Sequence, residues 1–367
     1  MMIRQAGTLT GRSFAIVGYD LEGLTATIGQ ETSRGRSDNV IFHEVTIRDR
    51  QGVAIEFADP KLLLKLLYEP NDPRRESIAY DAMWESRRRA EAADGFLPEF
   101  LGLCVGRGSV NGYTAFIMPH YGQDVYALIE RCNQLAAGHQ HLALGLLRAV
   151  IGGIGEFAAM TGGGVHRDIH VGNLCLWERE LWDPATVPDF LVVDFDASYV
   201  PHRSSGRPST RNTLMGQQAH MVPYLACQGG WRAEETAEAL RHPTPITDLG
   251  SGIIVAHAAA TGGYLPYEYW EGQGLRRATC GLGDSSQNDF LNNPYAHNRK
   301  VIFSPAHQLM RNKGIDDSFR VSLGNLVDSF SDPDHLPGLS ELATALASLV
   351  NLEVDYVKTC LRGVGNA

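Results

Sequence analysis

The sequence predicts an α+β fold with a small β-rich N-lobe and a larger α-helical C-lobe. Residues 1–120 are rich in short runs of β-branched and aromatic residues, which Gly, Ser, Arg and Asp separate. From residue 121 onward, apolar residues recur at helical spacing over longer stretches. Strands that are followed by helices, rather than alternating with them, indicate an α+β arrangement. We therefore expect an N-lobe over residues 1–120 and a C-lobe over residues 121–367.

In the N-lobe, short apolar runs predict strands, and one amphipathic pattern predicts a helix. The helix is expected over residues 75–90, after a break at Pro70 and Pro73. The glycine-dense stretch 106–112 is expected to be a hairpin turn. The predicted strands cover residues 24–28, 40–47, 52–57, 62–68, 96–103 and 113–118.

In the C-lobe, long apolar patterns predict helices that are joined by irregular stretches. Two turn-rich stretches, 197–245 and 271–300, are longer than ordinary connections and are expected to be functional loops or partly disordered. The residues after about 267 are expected to complete the helical lobe. The predicted helices cover residues 125–135, 141–160, 247–260 and 342–361.

Composition and charge exclude several classes of protein. Hydrophobic residues make up 44% of the chain and charged residues 20%, which is enough apolar material for a substantial core. Lys and Arg total 32 against 42 Asp and Glu, so the formal net charge is −10. A negative chain of this kind does not bind polynucleotides by bulk counterion release, and it does not suit an anionic membrane surface. We therefore expect no nucleic-acid partner and no membrane partner.

Cysteine usage and the N-terminal residues predict a cytoplasmic protein. No Cys-x-x-Cys occurs, which argues against a zinc ribbon and a dense disulfide framework. The first residues lack the apolar segment of a signal peptide, and the longest small-apolar stretch, around residues 253–260, is too short to span a bilayer. The six cysteines are Cys104, Cys132, Cys175, Cys227, Cys280 and Cys360.

The segment that carries the most chemistry reads VHRDIHVGNLCL over residues 165–176, and LVVDFD follows it over residues 191–196. Phosphoryl transfer requires a carboxylate near the attacking hydroxyl and oxygen ligands that hold Mg²⁺ on the nucleotide phosphates. Asn173 comes five residues after Asp168, and Asp194 ends an apolar strand. Amide and carboxylate oxygens suit a hard cation. These three side chains are therefore candidates for a phosphotransfer site.

These segments resemble two motifs of the protein-kinase-like superfamily, the catalytic loop His-Arg-Asp-x-x-x-x-Asn and the metal-binding Asp-Phe-Gly. The first motif is intact, and the second keeps Asp194 and Phe195 with Asp196 in place of glycine. The resemblance implies a bilobal protein-kinase-like fold with ATP and Mg²⁺ as cofactors. It further implies that Asp168 is the catalytic carboxylate and that Asn173 and Asp194 hold the metal.

The apolar run 62–67 resembles the family's strand that carries the lysine of the nucleotide site, which implies that Lys65 contacts the phosphates. A buried ammonium requires an acidic partner, and Glu76 resembles the glutamate that pairs with it. Lys61 and Glu85 are alternatives. Lys65 is favoured because it is centred in the run, whereas Glu85 stands beside three arginines, which is typical of a solvated face.

Only Gly29 and Gly35 can represent the family's glycine-rich loop, and its usual spacing is broken and lengthened here. Backbone amides that cradle phosphates must approach them closely, which is why glycine is used there. The departure from the pattern indicates a looser hold on ATP.

The segment 116–122 resembles the hinge between the lobes, where backbone groups bind adenine. The resemblance implies contacts from Met118 and Tyr121. Pro119 has no N–H, so the donor must come from a neighbour such as Tyr121. Asp124 either contacts the ribose or caps the helix that follows.

Two later segments also resemble kinase landmarks. Residues 247–251 resemble the central helix, which implies that Asp248 accepts hydrogen bonds from the backbone of the catalytic loop. Residues 221–226 resemble a degraded form of the segment that closes the activation loop. Serines and threonines within 204–213 stand among arginines and are candidate phosphorylation sites, and an exposed polar loop is the alternative.

Three functions follow from the resemblance. The sequence favours a protein serine/threonine kinase that moves the γ-phosphoryl group of ATP to a hydroxyl. The second hypothesis is a small-molecule phosphotransferase similar to the aminoglycoside and choline kinases. His170 stands where protein kinases carry lysine, and the ending Asp194-Phe195-Asp196 also resembles those families. The third is a pseudokinase scaffold, which the irregular glycine loop indicates. The partner is then a protein substrate or a small hydroxyl-bearing substrate, and the oligomeric state stays open.

Overall fold

The architecture was taken from a computed structural model of the chain. It describes residues 9–34, 40–57, 61–68, 74–92, 98–177, 181–196, 198–201, 203, 245–271, 274–280, 301–304, 307–329 and 338–362. The predicted glycine at position 35, the candidate phosphorylation sites and the segment 221–226 lie outside these residues.

The N-terminal part is a six-stranded antiparallel sheet with one helix packed beside it. The strands are adjacent in the order β1-β2-β3-β4-β6-β5. Helix α1 spans Arg74–Ala92 and comes between β4 and β5 in the chain, close to the predicted 75–90. The strands are β1 (Ser13–Ala15), β2 (Thr25–Arg34), β3 (Val40–Arg48), β4 (Leu62–Tyr68), β5 (Gly106–Val110) and β6 (Tyr113–Pro119).

Two predicted strands are wrong. Residues 52–57 form only an isolated bridge between Arg48 and Ala54, because the Asp49 carboxylate accepts the amides of Gln51 and Val53 and closes a tight turn. Of the predicted strand 96–103, the described residues 98–103 form only an isolated parallel bridge between Leu101 and Val192. There the carboxylate of Glu156 accepts the backbone amides that a sheet ladder would need, those of residues 99 and 100.

The predicted turn over 106–112 is also corrected. Gly106–Val110 is itself strand β5, which pairs with β6. The turn consists of Asn111 and Gly112, whose φ angles of 51° and 82° are those of a two-residue hairpin. Gly108 lies against the ring of Phe14, where a Cβ atom would collide, so glycine here serves strand packing.

The C-terminal part is mainly helical and surrounds α3. A short hairpin of β7 (Leu174–Leu176) and β8 (Phe190–Val192) lies beside it. The predicted helix over 342–361 is two helices, because Asn351 has a φ of 54° and ends the first of them. The helices are α2 (Val125–Leu135), α3 (His139–Thr161), α4 (Pro245–Thr261), α5 (His307–Arg311), α6 (Asp317–Ser329), α7 (Leu339–Val350) and α8 (Val354–Arg362).

The expectation that the residues after 267 are only helical is wrong. A second, three-stranded sheet follows α4, with strands β9 (Tyr264–Glu271), β10 (Gly274–Thr279) and β11 (Val301–Phe303) in the order β10-β9-β11. The run YLPYEYWE is rich in aromatic residues, which fit a pleated surface better than a helix.

Helix α3 forms the centre of the larger hydrophobic core. It has 23 residues, which by length and composition could cross a membrane, and 78% of its apolar 18-residue window is buried inside the protein. It packs against α4, α8 and α1. A second, smaller hydrophobic core is formed by residues of the N-terminal sheet, including Ile28, Leu64 and Ile117.

Candidate active site

Lys65 lies in the middle of β4, between β3 and β6. Its side chain is almost fully buried, and Nζ lies 2.9 and 3.0 Å from the two carboxylate oxygens of Glu76. The same ammonium lies 2.8 Å from Oδ1 of Asp194. The alternative, Lys61, is exposed at the start of the strand. The structure therefore places one buried cation between helix α1 and the end of β8.

Two carboxylates keep this lysine charged. Burial alone would lower the pKa of Lys65, but the charges of Asp194 and Glu76 outweigh it and raise the pKa above its ordinary value. A buried ammonium is tolerable only with such partners.

Glu76 stands in the first turn of α1, where a carboxylate also complements the helix dipole. The ion pair expected between Lys65 and Glu76 is present. The alternative glutamate, Glu85, lies on the exposed side of the same helix and pairs with Arg203 at 2.6 Å. The pair favoured from the sequence, Lys65 with Glu76, is therefore the buried one.

Asp168 and Asn173 lie in contact in the loop between α3 and β7. The Asn173 amide Nδ2 donates to the backbone carbonyl of Asp168 at 2.9 Å and to its carboxylate Oδ2 at 3.0 Å. The buried Oδ1 of Asp168 meets no hydrogen-bond donor among the described residues. Asn173 thus holds Oδ2 of Asp168, whereas Oδ1 can still accept a hydrogen bond.

The ionised form of Asp168 is favoured. Burial would raise the pKa of Asp168, but the neighbouring His170 and His166 and the Asn173 amide lower it below its ordinary value. His170 Nδ1 accepts the Gly172 amide at 3.0 Å, so the other ring nitrogen, Nε2, carries the proton. That nitrogen lies 3.6 Å from Asp168 Oδ2.

Hydrogen bonds with Asp248 and with the ring of His166 hold the backbone of the loop that carries Asp168. The two carboxylate oxygens of Asp248, in α4, accept the backbone amides of His166 and Arg167 at 2.7 and 2.8 Å. The hydrogen bonds expected of Asp248 are therefore present. His166 Nε2 donates to the Val193 carbonyl at 3.1 Å, and Nδ1 accepts the Asp168 amide at 3.2 Å. This neutral imidazole connects the loop to the end of β8.

Asp194 takes a φ of 64°, in the left-handed region that non-glycine residues rarely adopt. Its neighbour Phe195 is fully buried and holds it in place. The Phe195 ring stacks on Phe157 at 5.2 Å and meets Tyr80 of α1 and His166 edge-on at 5.6 and 5.0 Å. Backbone strain of this kind persists where the surrounding packing overdetermines it, as here.

Asp196 is a residue whose place in the site the sequence did not reveal. Its side chain remains accessible to solvent, yet desolvation in the cleft and the charge of Asp194 raise its pKa to about 8. Lys65 opposes that rise. The sequence signal for its position was the Asp-x-Asp spacing after an apolar strand. Residues two apart at the end of a strand can both reach the same cleft.

Gly29 lies within strand β2, at an irregularity in its pairing with β3. A Cβ atom at Gly29 would lie 2.8 Å from Cβ of Glu44, so the close approach of the two strands requires glycine. His43 Nδ1 also contacts the Gly29 carbonyl at 3.1 Å. These contacts account for the glycine within the sheet, and its contact with a nucleotide stays a prediction.

The segment from Met118 to Asp124 leads from the sheet into α2. The carboxylate of Asp124 accepts the Ala127 amide at 2.9 Å, so the helix-cap interpretation is confirmed, and the ribose contact stays a prediction. The hydroxyl of Tyr121 donates to the Leu103 carbonyl at 3.4 Å. Met118 pairs with Leu63 of β4, two residues from Lys65.

Cys175 of β7 lies between this segment and the candidate site. It forms an isolated bridge with Asp124. Burial, followed by the charges of Asp124 and Asp194, raises the pKa of its thiol to about 12. The charges of both carboxylates therefore act on the same strand residue.

Asn173 and Asp194 retain oxygen atoms that suit a hard cation. The Asn173 Nδ2 atom faces Asp168, so its Oδ1 is turned away from that carboxylate. Asp194 gives Oδ1 to Lys65, and its Oδ2 makes no hydrogen bond within the described part of the chain. The described residues contain no group of three His, Cys, Asp or Glu side chains placed to chelate a metal. Mg²⁺ characteristically uses one or two protein ligands and completes its shell with phosphates and water, so this pair fits it.

The chain matches no protein-family model, and no curated protein matches it.

Proposed function

We propose that this chain is an ATP- and Mg²⁺-dependent phosphotransferase with a bilobal protein-kinase-like fold, its lobes meeting near residue 120. The six-stranded sheet with α1 would form the N-lobe, and the helical part would form the C-lobe. The candidate site lies where these two parts meet.

One observation carries the proposal. Lys65, from the sheet, contacts Glu76 of α1 and Asp194 at the end of β8 with the same ammonium group. An ammonium that holds α- and β-phosphates and a carboxylate that holds their Mg²⁺ must lie close to one another. An ion pair with only a structural role needs Lys65 and Glu76 alone. It does not require Asp194, a half-exposed carboxylate that keeps one oxygen available for a metal.

Each residue can be given a role from its contacts. Asp168 orients the acceptor hydroxyl with Oδ1 and receives its proton, while Asn173 and His170 restrain Oδ2. Lys65, positioned by Glu76, holds the nucleotide phosphates. Bound Mg·ATP would supply the phosphoryl group and neutralise its charge, with Asn173 and Asp194 as the metal ligands.

The acceptor class favoured by the sequence is a protein serine or threonine. The second candidate, a small hydroxyl-bearing substrate, is favoured by His170. Its Nε2–H faces Asp168 at 3.6 Å, where a protein kinase carries a lysine. An imidazole there does not carry the permanent ammonium charge of a lysine, and a less positive acceptor side of the cleft suits a cationic acceptor.

Calorimetry with ATP and Mg²⁺ tests the nucleotide site. The wild-type protein should bind Mg·ATP and unfold at a higher temperature in its presence. Asp194→Asn should lose the Mg²⁺ dependence of binding, and Asp355→Asn, an exposed carboxylate on α8, serves as the matched control. If the wild-type protein binds no nucleotide, the enzyme proposal fails and the pseudokinase scaffold replaces it.

Transfer is tested separately with γ-labelled ATP. Asp168→Asn should keep Mg·ATP binding but lose transfer by roughly 10²–10⁴-fold, the usual contribution of a general base. Label on serines or threonines of the chain or of a protein substrate supports the protein kinase. Label only on a small amino alcohol or aminoglycoside supports the second candidate.

A further inference from the structure

Two histidines outside the candidate active site lie close together in the C-terminal part. His257 is fully buried in α4, and His307 opens the short helix α5. Their ring centres are 5.8 Å apart, and the ring planes are inclined by 71°. Neither residue has a role in the proposed phosphotransfer.

One nitrogen of each ring is fixed by an acceptor. His257 Nδ1 lies 3.2 Å from the carbonyl oxygen of Tyr264, and His307 Nε2 lies 3.3 Å from Oδ1 of Asp328. Carbonyl and carboxylate oxygens only accept, so both of these nitrogens carry hydrogen. In the neutral rings, the lone pairs are then on His257 Nε2 and His307 Nδ1.

Those two nitrogens are buried and have no hydrogen-bond partner among the described residues. Two lone pairs cannot satisfy each other. A buried acceptor without a donor is costly, and a native fold normally supplies it with a partner.

We propose that His257 Nε2 and His307 Nδ1 are the protein ligands of a Zn²⁺-type transition-metal ion. A coordinated imidazole places its ring centre roughly 3.2 Å from the ion, given Zn–N bonds of about 2.0–2.1 Å, so two rings on one ion have centres at most about 6.4 Å apart. The observed 5.8 Å lies within that limit.

The surroundings of the pair resemble the outer shell of a metal site. Metal-bound histidines usually donate their other N–H to a carboxylate or a backbone carbonyl, and Asp328 and Tyr264 supply one of each. Gly324 of α6 leaves room for the His307 ring, because a Cβ there would lie 3.3 Å from it. The hydrogen bonds to Asp328 and Tyr264 therefore fix the tautomer of each neutral ring.

The charge balance near the pair also permits a cation. Arg277 is a positive group near the pair, and Glu268 pairs with it at 2.6 Å. The described residues add no third His, Cys, Asp or Glu to the pair, so water completes the coordination shell. His307 is about a quarter exposed, which gives an ion a way in.

Zn²⁺ titration of the full chain tests the site. The protein carries no polyhistidine tag, is treated with chelator and dialysed, and is kept in excess Mg²⁺ to occupy the oxygen ligands of the candidate active site. The wild-type protein should bind one equivalent of Zn²⁺ by calorimetry and unfold at a higher temperature when loaded. Co²⁺ at the same site should give visible d–d absorption.

Three variants assign the ligands. His307→Ala should lose that equivalent and the thermal shift, with an unchanged circular dichroism spectrum of the metal-free protein. Asp328→Asn should weaken binding by about 10–100-fold, the usual effect of an outer-shell change. His141→Ala is the matched control, since His141 is also partly buried with one ring nitrogen on a backbone carbonyl. No binding by the wild type, or equal binding by His307→Ala, would overturn the proposal.

Discussion

The ammonium of Lys65 lies 2.8 Å from Oδ1 of Asp194, although 129 residues separate the two in the chain. The contact connects the N-terminal sheet to the end of β8. The same ammonium binds Glu76 of α1, so one buried cation fixes a strand, a helix and a strand end relative to one another. The consequences of this arrangement can be measured without knowing the substrate.

Removing Lys65 should destabilise the fold. Lys65→Met leaves Glu76 buried without its cation, and breaking a buried pair from one side costs about 3–5 kcal/mol. Lys65→Met combined with Glu76→Leu should recover a large part of that loss, because an apolar pair of similar volume needs no desolvation. Urea unfolding measures both, and Lys61→Met, at the exposed residue just before the same strand, is the control. Equal effects of Lys65→Met and Lys61→Met would contradict the buried pair.

Phe195 should contribute strongly to stability and to the position of Asp194. Phe195→Ala removes a fully buried ring from between Phe157, Tyr80 and His166, and such truncations cost about 3–5 kcal/mol. Phe57→Ala, at an exposed phenylalanine, should change the free energy of unfolding by less than about 0.5 kcal/mol. Mg·ATP binding should weaken in Phe195→Ala only, so unaltered affinity would show that the ring does not position Asp194.

The Asp248 carboxylate should stabilise the catalytic loop. An asparagine at position 248 has one acceptor oxygen for two buried amides, those of His166 and Arg167, and its NH₂ group would face a donor. We expect a loss of about 1–3 kcal/mol, the cost of an unsatisfied buried polar group. Chemical denaturation of Asp248→Asn beside Asp355→Asn measures it. A loss no larger than that of the exposed control would argue against the two hydrogen bonds.

The stability of the protein should fall as the pH rises from about 4.5 to about 7. Burial raises the pKa of Glu156 from 4.5 to about 7, despite the two backbone amides that donate to it. A raised pKa means that the folded state binds the proton more tightly, so this contribution is complete below the unfolded pKa and is lost as the pH passes the folded one.

Glu156→Gln tests that pH dependence, because a glutamine does not titrate. Its free energy of unfolding should vary less between pH 4.5 and pH 7 than that of the wild type, even though the variant itself has only one acceptor for the two amides. Glu22→Gln, at an exposed position, should follow the wild-type curve. A Glu156→Gln curve parallel to the wild type would assign the pH dependence to other groups.

The sequence by itself determined the elements that depend on local pattern. The central strand around Lys65, helix α1 and helix α2 agree with their predicted ranges, because each segment contains its whole signal, a continuous apolar run for the strand and helical periodicity for the helices. The apolar strand around Lys65 required a nearby acid, and the resemblance to the kinase-like family pointed to Glu76 as that acid.

Tertiary structure decided what depends on partners distant in the chain. Glu156 takes the amides that would have extended a strand over 98–103, and Asn351 divides the last predicted helix. The packing of Phe195 and the left-handed backbone of Asp194 result from α1, α3 and the loop meeting at one point. The pairing of His257 with His307 depends on how α4 and α5 pack. Local sequence fixes the period of an element, but only packing determines which buried polar atoms find partners.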